Sequence, residues 1–382
     1  MHVALISSDC LPNPGGVAAH FYHLAIALDS LGVQVTALGG CQDERRSGPF
    51  RPPFPGFRVK TIGSHNKFST AKFIVWARRR LRETMRTSHI DLAHVHNLIG
   101  DPVALIGLTR GMRRVATNHS SGFLIAFDRG RKKHLYPLLL GGYDAVIAPS
   151  RELERKSPYL GVPEKRVFYV PNGVDGRRFS PGDAGADAWS RIAPFSPRHR
   201  IVLATRRLER KNGMHVFLRS IPTVVKACPE ARYVLAGDGS QRRALVLEAR
   251  RRGLERFLLF LGTVPNDKLL GLYRLASVCV LPSLIEATSI SGLEAMACGI
   301  PLIGSRVGGI PEIVQDGVTG ILVEPNHPDD LASGIVRLLQ DRDHSEALGA
   351  RGRARAKRDF SWATIASKTL AVYEDCMRTC PK

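Results

Sequence analysis

The chain has 382 residues, 44% of them apolar and 23% charged, and carries a formal net charge of +21. That length suits two domains rather than one, and the apolar share excludes a disordered or collagen-like chain. The basic excess is uneven, with 26 Lys and Arg against 13 Asp and Glu in residues 1–181 and 29 against 21 in residues 182–382; it favours anionic lipid, phosphorylated substrate or nucleic acid as partners, unless it only records an arginine-rich composition.

The opening "MHVALISSDC" has no basic leader or cleavage region and reads as a buried strand rather than a signal peptide. The loop "DCLPNPGGVAA", a helix through "HFYHLAIALDSLG" that Gly32 can cap and the strand "VQVTAL" complete a βαβ unit. "DLAHVH", "RRVATNH" and "DAVIAPS" supply further strands of one doubly wound domain. The longest greasy run, "LYPLLLGGYDAVIAP", is broken by Gly141, Gly142 and Asp144 and falls short of a membrane span, so a cytoplasmic protein is expected. Seven scattered cysteines without paired spacings are expected to be reduced packing residues.

Residues 176–200, rich in Gly, Pro, Ser and Arg, read as a linker or interdomain loop. A second βα series follows through "RIVLATR", "ARYVLAGDG", "FLLFLGTV", "LASVCVLPS" and "PLIGS", and "DFSWATIASKTLAVYEDCM" reads as a terminal amphipathic helix. The expected fold is α/β, with two Rossmann-like domains at 1–180 and 181–360, a helix at 361–382 and a ligand cleft between the domains. The connection after "PNGVD" and the last helix are the candidate hinges.

The chemistry concentrates in "SLIEATSISGLEAMACGIPLIGS". Gly299 and Pro301 stop a helix over roughly Ser291–Cys298, whose free N–H groups suit a phosphate, and Thr288, Ser289, Ile290 and Ser291 let one approach. Glu286 in the preceding loop and Glu294 near the helix start can accept hydrogen bonds from sugar hydroxyls; the plainer alternative is a solvated loop acid and a carboxylate complementing the helix dipole. Arg206, Arg207, Arg210 and Lys211 follow the first strand of the second series, where cations can grip a diphosphate. In "PNPGG", Gly15 and Gly16 allow backbone to approach a ligand, but the G-x-G-x-x-G spacing and the ribose-binding acid of a dinucleotide fold are absent, which disfavours an NAD-dependent dehydrogenase. His94 and His96 share a strand face without a third ligand at recognisable spacing, so no metal is expected.

These segments, with "TNHS", "IAPSRELERKSPYLGVPEKRVFYVPNGVD" and the E-x7-E element running on to "RVGGIPEIVQDGVTGILVEP", together resemble the retaining nucleotide-sugar glycosyltransferases of family 4, which have the GT-B architecture of two facing Rossmann-like domains. The resemblance covers nearly the whole chain. It implies that Glu294 binds the ribose, that Glu286 contacts the donor sugar, that Arg206 and Lys211 neutralise the departing diphosphate, and that His119 lines the donor-sugar site. It further implies metal-independent, front-face transfer with retention, in which the diphosphate helps take the acceptor proton, and no cofactor beyond the nucleotide diphosphate sugar. The family places Lys beside Gly; here Asn212 intervenes, which leaves Arg206 and Arg207 both eligible, with Arg206 preferred.

The resemblance also implies that the acceptor binds mostly to the first domain, which is the more basic half. "KFIVWARRRLRETMR" sets Phe73, Trp76 and Leu81 among Arg78, Arg79, Arg80 and Arg82, and "RGRKKHLYPLLL" repeats the mixture with Arg129, Arg131, Lys132 and Lys133. Either could lie on an anionic membrane and deliver a lipid acceptor, or the first could be a plain covering helix with solvated arginines. "TNHSSGFL" is similar to the corresponding region of the transferase that adds GlcNAc to phosphatidylinositol, which points to UDP-GlcNAc. Nucleic acid has only charge in its favour. A sugar-nucleotide epimerase and a noncatalytic binder of acidic glycan or lipid are the competing readings.

Overall fold

The computed structural model describes residues 1–11, 13, 15–41, 53–62, 67–98, 101–108, 111–119, 123–124 and 135–379. They form two compact units, one of Met1–Asn172 with Trp362–Lys382 and one of Gly173–Ser361.

The first unit holds a parallel sheet in the order β3-β2-β1-β4-β5-β6-β7, built from β1 (His2–Ser7), β2 (Gln34–Cys41), β3 (Phe57–Thr61), β4 (Leu92–Val95), β5 (Arg113–Thr117), β6 (Ala145–Ala148) and β7 (Val167–Tyr169). The second holds β10-β9-β8-β11-β12-β13, from β8 (Arg200–Thr205), β9 (Ala231–Ala236), β10 (Leu258–Gly262), β11 (Ala276–Leu281), β12 (Leu302–Ser305) and β13 (Ile321–Val323). The helices that frame the sites are α1 (Gly16–Ser30), α2 (Lys67–Thr87), α3 (Asp101–Leu105), α4 (Leu135–Leu140), α5 (Gly185–Arg191), α6 (Asn266–Leu275), α7 (Ile290–Ala297) and α8 (Trp362–Thr379).

Strands β1 and β4 are buried along their whole length, as a parallel sheet with both faces covered requires. Alternation sorts the second sheet: Leu203, Val234 and Leu281 enter one core with Leu293, while Val202, Leu235 and Val280 enter the other with Phe217. In the first unit α8 lies against α1. It adds Trp362, Ile365 and Tyr373 to the core that contains Val3, Leu5 and Ile147.

Both sheets reverse strand order beside their first strand, between β1 and β4 and between β8 and β11. At such a switch point the loops leaving the carboxyl ends diverge and open a ligand crevice. Gly15 and Gly16 follow β1, Arg206 and Lys211 follow β8, Glu286 and Glu294 follow β11, and His119 follows the neighbouring β5.

One sequence expectation needs correcting. Residues 176–200 are not a bare linker: α5 lies there, and Phe179, Ala188, Ile192 and Phe195 are buried in the second core. Sparse apolar residues in a Gly- and Pro-rich context hid that helix. Among the described residues no helix is long and apolar enough to cross a membrane, and the six described cysteines are free and buried.

Candidate active site

In the second unit the site grows from two loops at the switch point. Helix α7 begins one residue earlier than expected because Ser289 caps it, its Oγ accepting the Gly292 N–H at 3.1 Å. Such a cap contributes about 1 kcal/mol. Ser289 is also held from the side by Arg206, whose guanidinium donates to its Oγ at 3.2 Å.

Arg206 is the hub. Besides Ser289 it donates to Asn212 Oδ1 at 3.0 Å and Ser283 Oγ at 3.1 Å, and it forms an ion pair with Glu286. Arg207 turns its side chain outward and is exposed, as is Arg210. Lys211 lies close enough to Glu286 and Arg206 to feel both charges, and burial is the main cause that lowers its pKa. Its carbonyl accepts from the N–H groups of Leu284 and Ile285 at 2.7 and 3.2 Å, which fastens the β8 loop to the β11 loop.

Asn212, which breaks the family spacing, has a structural function that sequence reasoning missed. It is buried, accepts from Arg206 and returns its Nδ2 to the Arg207 carbonyl at 2.7 Å. Both ends of its amide are therefore used, and the guanidinium is held in one orientation. Two glycines have a similar duty through backbone contact. At Gly308 (φ +53°) a Cβ would stand 1.7 Å from the Glu286 carbonyl, and at Gly213 (φ +69°) 1.7 Å from the Pro282 carbonyl, so only glycine lets these chains pass.

Glu294 sits one turn into α7, buried, and accepts from the Tyr273 hydroxyl at 2.7 Å; Tyr273 in turn meets Thr205 Oγ1 at 2.8 Å. Tyr273 on α6 is entirely buried and offered no sequence signal, since an aromatic at helical spacing reads as core. Burial pushes the Glu294 carboxyl up to about 7, with the Tyr273 hydrogen bond opposing. The folded state then binds this proton more tightly than the unfolded chain. Stability from this source is complete below about pH 4.5 and is lost as pH rises to about 7. Glu294→Gln is expected to flatten the fall in melting temperature over that window. Asp101, buried and also raised to about 7, leaves a residual slope of the same sign, and a slope unchanged from wild type would contradict the assignment.

In the first unit the sequence-expected histidine is joined by two others. His119 follows β5, is half-buried, and its Nε2 lies 3.3 Å from His96 Nδ1. His20 of α1 packs edge-on at 4.5 Å between ring centroids. The Asn172 side chain accepts from His20 Nδ1 at 2.8 Å. The grouping is not the His94 and His96 pair of the sequence: among the described residues His20, His96 and His119 bring ring nitrogens within 4.8 Å of one another. Their spacing in sequence could not show it, because they come from three separate elements. His94 is the satisfied core residue, bonded to Tyr373 at 2.6 Å and Thr117 at 2.7 Å. Gly15 and Gly16 open α1, and a Cβ on Gly15 would meet none of the described residues within 4 Å.

Helix α2 covers the sheet with Phe73, Ala77 and Leu81 buried, so Phe73 and Leu81 do not face outward as a membrane anchor requires. Arg78 is occupied by the carbonyls of Val103, Ala104 and Ile106, and Arg79 and Arg80 pair with Glu83. Arg129, Arg131, Lys132 and Lys133 lie outside the described residues, as do Pro12 and Pro14 of "PNPGG" and Ser120 of "TNHS".

Two Rossmann-like units with their polar residues gathered after the carboxyl ends of the central strands are the architecture of GT-B glycosyltransferases. Residues 14–178 match the family described as Glycosyltransferase Family 4, and residues 186–355 match Glycosyl transferases group 1. An uncharacterized glycosyltransferase of Methanocaldococcus jannaschii is 32% identical over 99% of both chains. A phosphatidylinositol N-acetylglucosaminyltransferase chain of Arabidopsis thaliana is 27% identical over 99% of this chain and 83% of its own. Among solved structures, HepE from Anabaena in complex with UDP and glucose superposes with a TM-score of 0.74 at 19% identity, covering 98% of this chain and 100% of that one. The chain belongs to the group 1 and family 4 glycosyltransferases.

Proposed function

We propose that the protein is a retaining hexosyltransferase that takes its sugar from a UDP-sugar, UDP-GlcNAc foremost, and passes it to a hydroxyl of a glycan, lipid or small-molecule acceptor, with no required metal or cofactor. One observation carries the reading: Arg206, Ser289 and Glu286 meet at the amino end of α7, with Lys211 beside them. Guanidinium, ammonium and free helix N–H groups suit a diphosphate. Glu294 is the ribose acceptor in this reading, Glu286 binds a donor-sugar hydroxyl, and His119 lines the sugar from residues 1–180. HepE's UDP and the Arabidopsis relative's N-acetylglucosaminyl transfer support the choice of donor.

As the bond from C1 to the diphosphate oxygen breaks, the acceptor oxygen attacks the same face and its proton passes to the leaving phosphate. Negative charge grows on that phosphate, so fixed cations lower the barrier more than they strengthen ground-state binding. The bound diphosphate draws Arg206 away from Glu286, and the released carboxylate becomes available to the sugar.

A thermal-shift screen of nucleotide sugars tests this. A matched donor at a hundred times its Kd stabilises by about 2.7 kcal/mol, and a UDP-sugar is expected to give the largest shift. Absence of any shift across the panel would contradict the reading. Incubation with donor alone separates transfer from epimerisation, since an epimerase alters the sugar without an acceptor.

The acceptor side favours an anionic membrane surface with a lipid acceptor. The four most exposed large apolar residues among those described, Leu138 (83%), Val75 (69%), Ile106 (60%) and Tyr159 (60%), stand respectively on α4, α2, the turn after α3 and the Ser157–Leu160 turn, with α2 touching α3, α3 touching α4, and α4 touching that turn. The exposed Arg82 and Arg86 share α2 with Val75. Sedimentation with phosphatidylglycerol vesicles is expected to pull down the protein, and Leu138→Glu with Arg82→Glu to abolish it; equal sedimentation with neutral vesicles would remove the charge argument.

A further inference from the structure

We infer that His20, His96 and His119 form a binding site for a transition-metal ion of the zinc type, and that the bound ion inhibits the enzyme by occupying His119. The inhibitory half rests on the proposed reading of His119 as a donor-sugar residue; the binding half does not.

The geometry carries it. Zinc binds imidazole nitrogen at about 2.0–2.1 Å in a tetrahedron, which places any two of its ligand nitrogens about 3.3 Å apart. His96 Nδ1 and His119 Nε2 stand at 3.3 Å. That is long for a hydrogen bond between neutral rings but matches the bite of one ion. The third nitrogen lies within 4.8 Å of the others. His20 is oriented from behind: Asn172 takes its Nδ1 proton, so Nε2 keeps the lone pair, the arrangement by which a second shell fixes a metal ligand.

Among the described residues His96 Nε2 has no hydrogen-bond partner; the ring's proton can sit there while Nδ1, 3.3 Å from His119 Nε2, faces the ion. Three protein ligands leave a fourth position for water or an anion, and the half-buried His119 gives the ion its way in.

Cobalt(II) chloride added to the full chain reports directly on the site. A visible spectrum of the intense tetrahedral type is expected at one equivalent, and zinc chloride should bleach it. X-ray absorption of the zinc-loaded protein should show imidazole ligands and no sulfur. His20→Ala is expected to weaken zinc binding at least tenfold by calorimetry and to shift the zinc inhibition curve equally, while turnover in chelator-treated buffer persists. If this variant does not fold, the cobalt and absorption measurements on the wild-type chain still decide. A cobalt spectrum of octahedral type, or sulfur ligation, would overturn the site. Tight zinc binding at the trio without inhibition would leave the site standing, overturn the inhibitory half and count against the proposed place of His119.

Discussion

Lys211→Ala is expected to lower kcat/KM by about 10²- to 10³-fold, the loss typical of one fixed donor aimed at charge that develops in the transition state. Lys211 is suited to this measurement because its side chain reaches the site while its backbone carbonyl, which ties Leu284 and Ile285 in place, survives the substitution. The fold should persist, and the loss should fall on kcat more than on donor KM. Arg206→Ala is a blunter probe. It strips Glu286 of its ion-pair partner inside the protein, and breaking a buried pair costs about 3–5 kcal/mol of stability. Glu286→Gln breaks the same pair but leaves Arg206 an amide oxygen to donate to, so it should melt less readily than Arg206→Ala while still losing turnover. Unchanged turnover in both Lys211→Ala and Glu286→Gln would show the assigned chemistry to be wrong.

Gly308→Ala should cost about 10²-fold in kcat/KM although residue 308 offers no side chain to a substrate. The new Cβ would lie 1.7 Å from the Glu286 carbonyl, 2.7 Å from its carbonyl carbon and 3.3 Å from its Cα. No rotamer relieves a clash with backbone, so the loop carrying Glu286 must move by the order of an ångström, a displacement that costs about this much when it misplaces a reacting group. Gly253→Ala supplies the control. It has a similar positive φ of +63° with nothing within 4 Å, so it carries the left-handed strain alone, about 1–2 kcal/mol, and should leave activity intact. Equal activity losses in the two variants would mean that strain, not the Glu286 contact, is responsible.

The sequence was most legible where physics leaves a periodic or positional mark. Continuous apolar runs marked the central strands, and cations or acids placed just after them marked the second-unit loops. The edge strands β3, β7 and β13 passed unnoticed, since an edge is short and half-solvated; β3 alternates Arg58 and Lys60 with Val59. The site divides the same way. Glu286, Glu294, Arg206 and Lys211 stood out because charged groups inside apolar or small-residue contexts demand an explanation. Tyr273, Asn212 and Gly308 were not, because their work is to hold another residue, and that relation exists only after β8, β11 and the helices are packed. His20 belongs with them: it precedes His96 by 76 positions and His119 by 99, and only the sheet's strand order brings the three rings together.

The most direct measurement is a crystal structure with a UDP-sugar or its unreactive analogue bound. The account requires the pyrophosphate to lie against the first N–H groups of α7, with Arg206 turned from Glu286 toward phosphate oxygen, Lys211 within hydrogen-bond reach and Glu294 accepting from the ribose. A nucleotide held elsewhere on the second unit, with Arg206 still paired to Glu286, would contradict it.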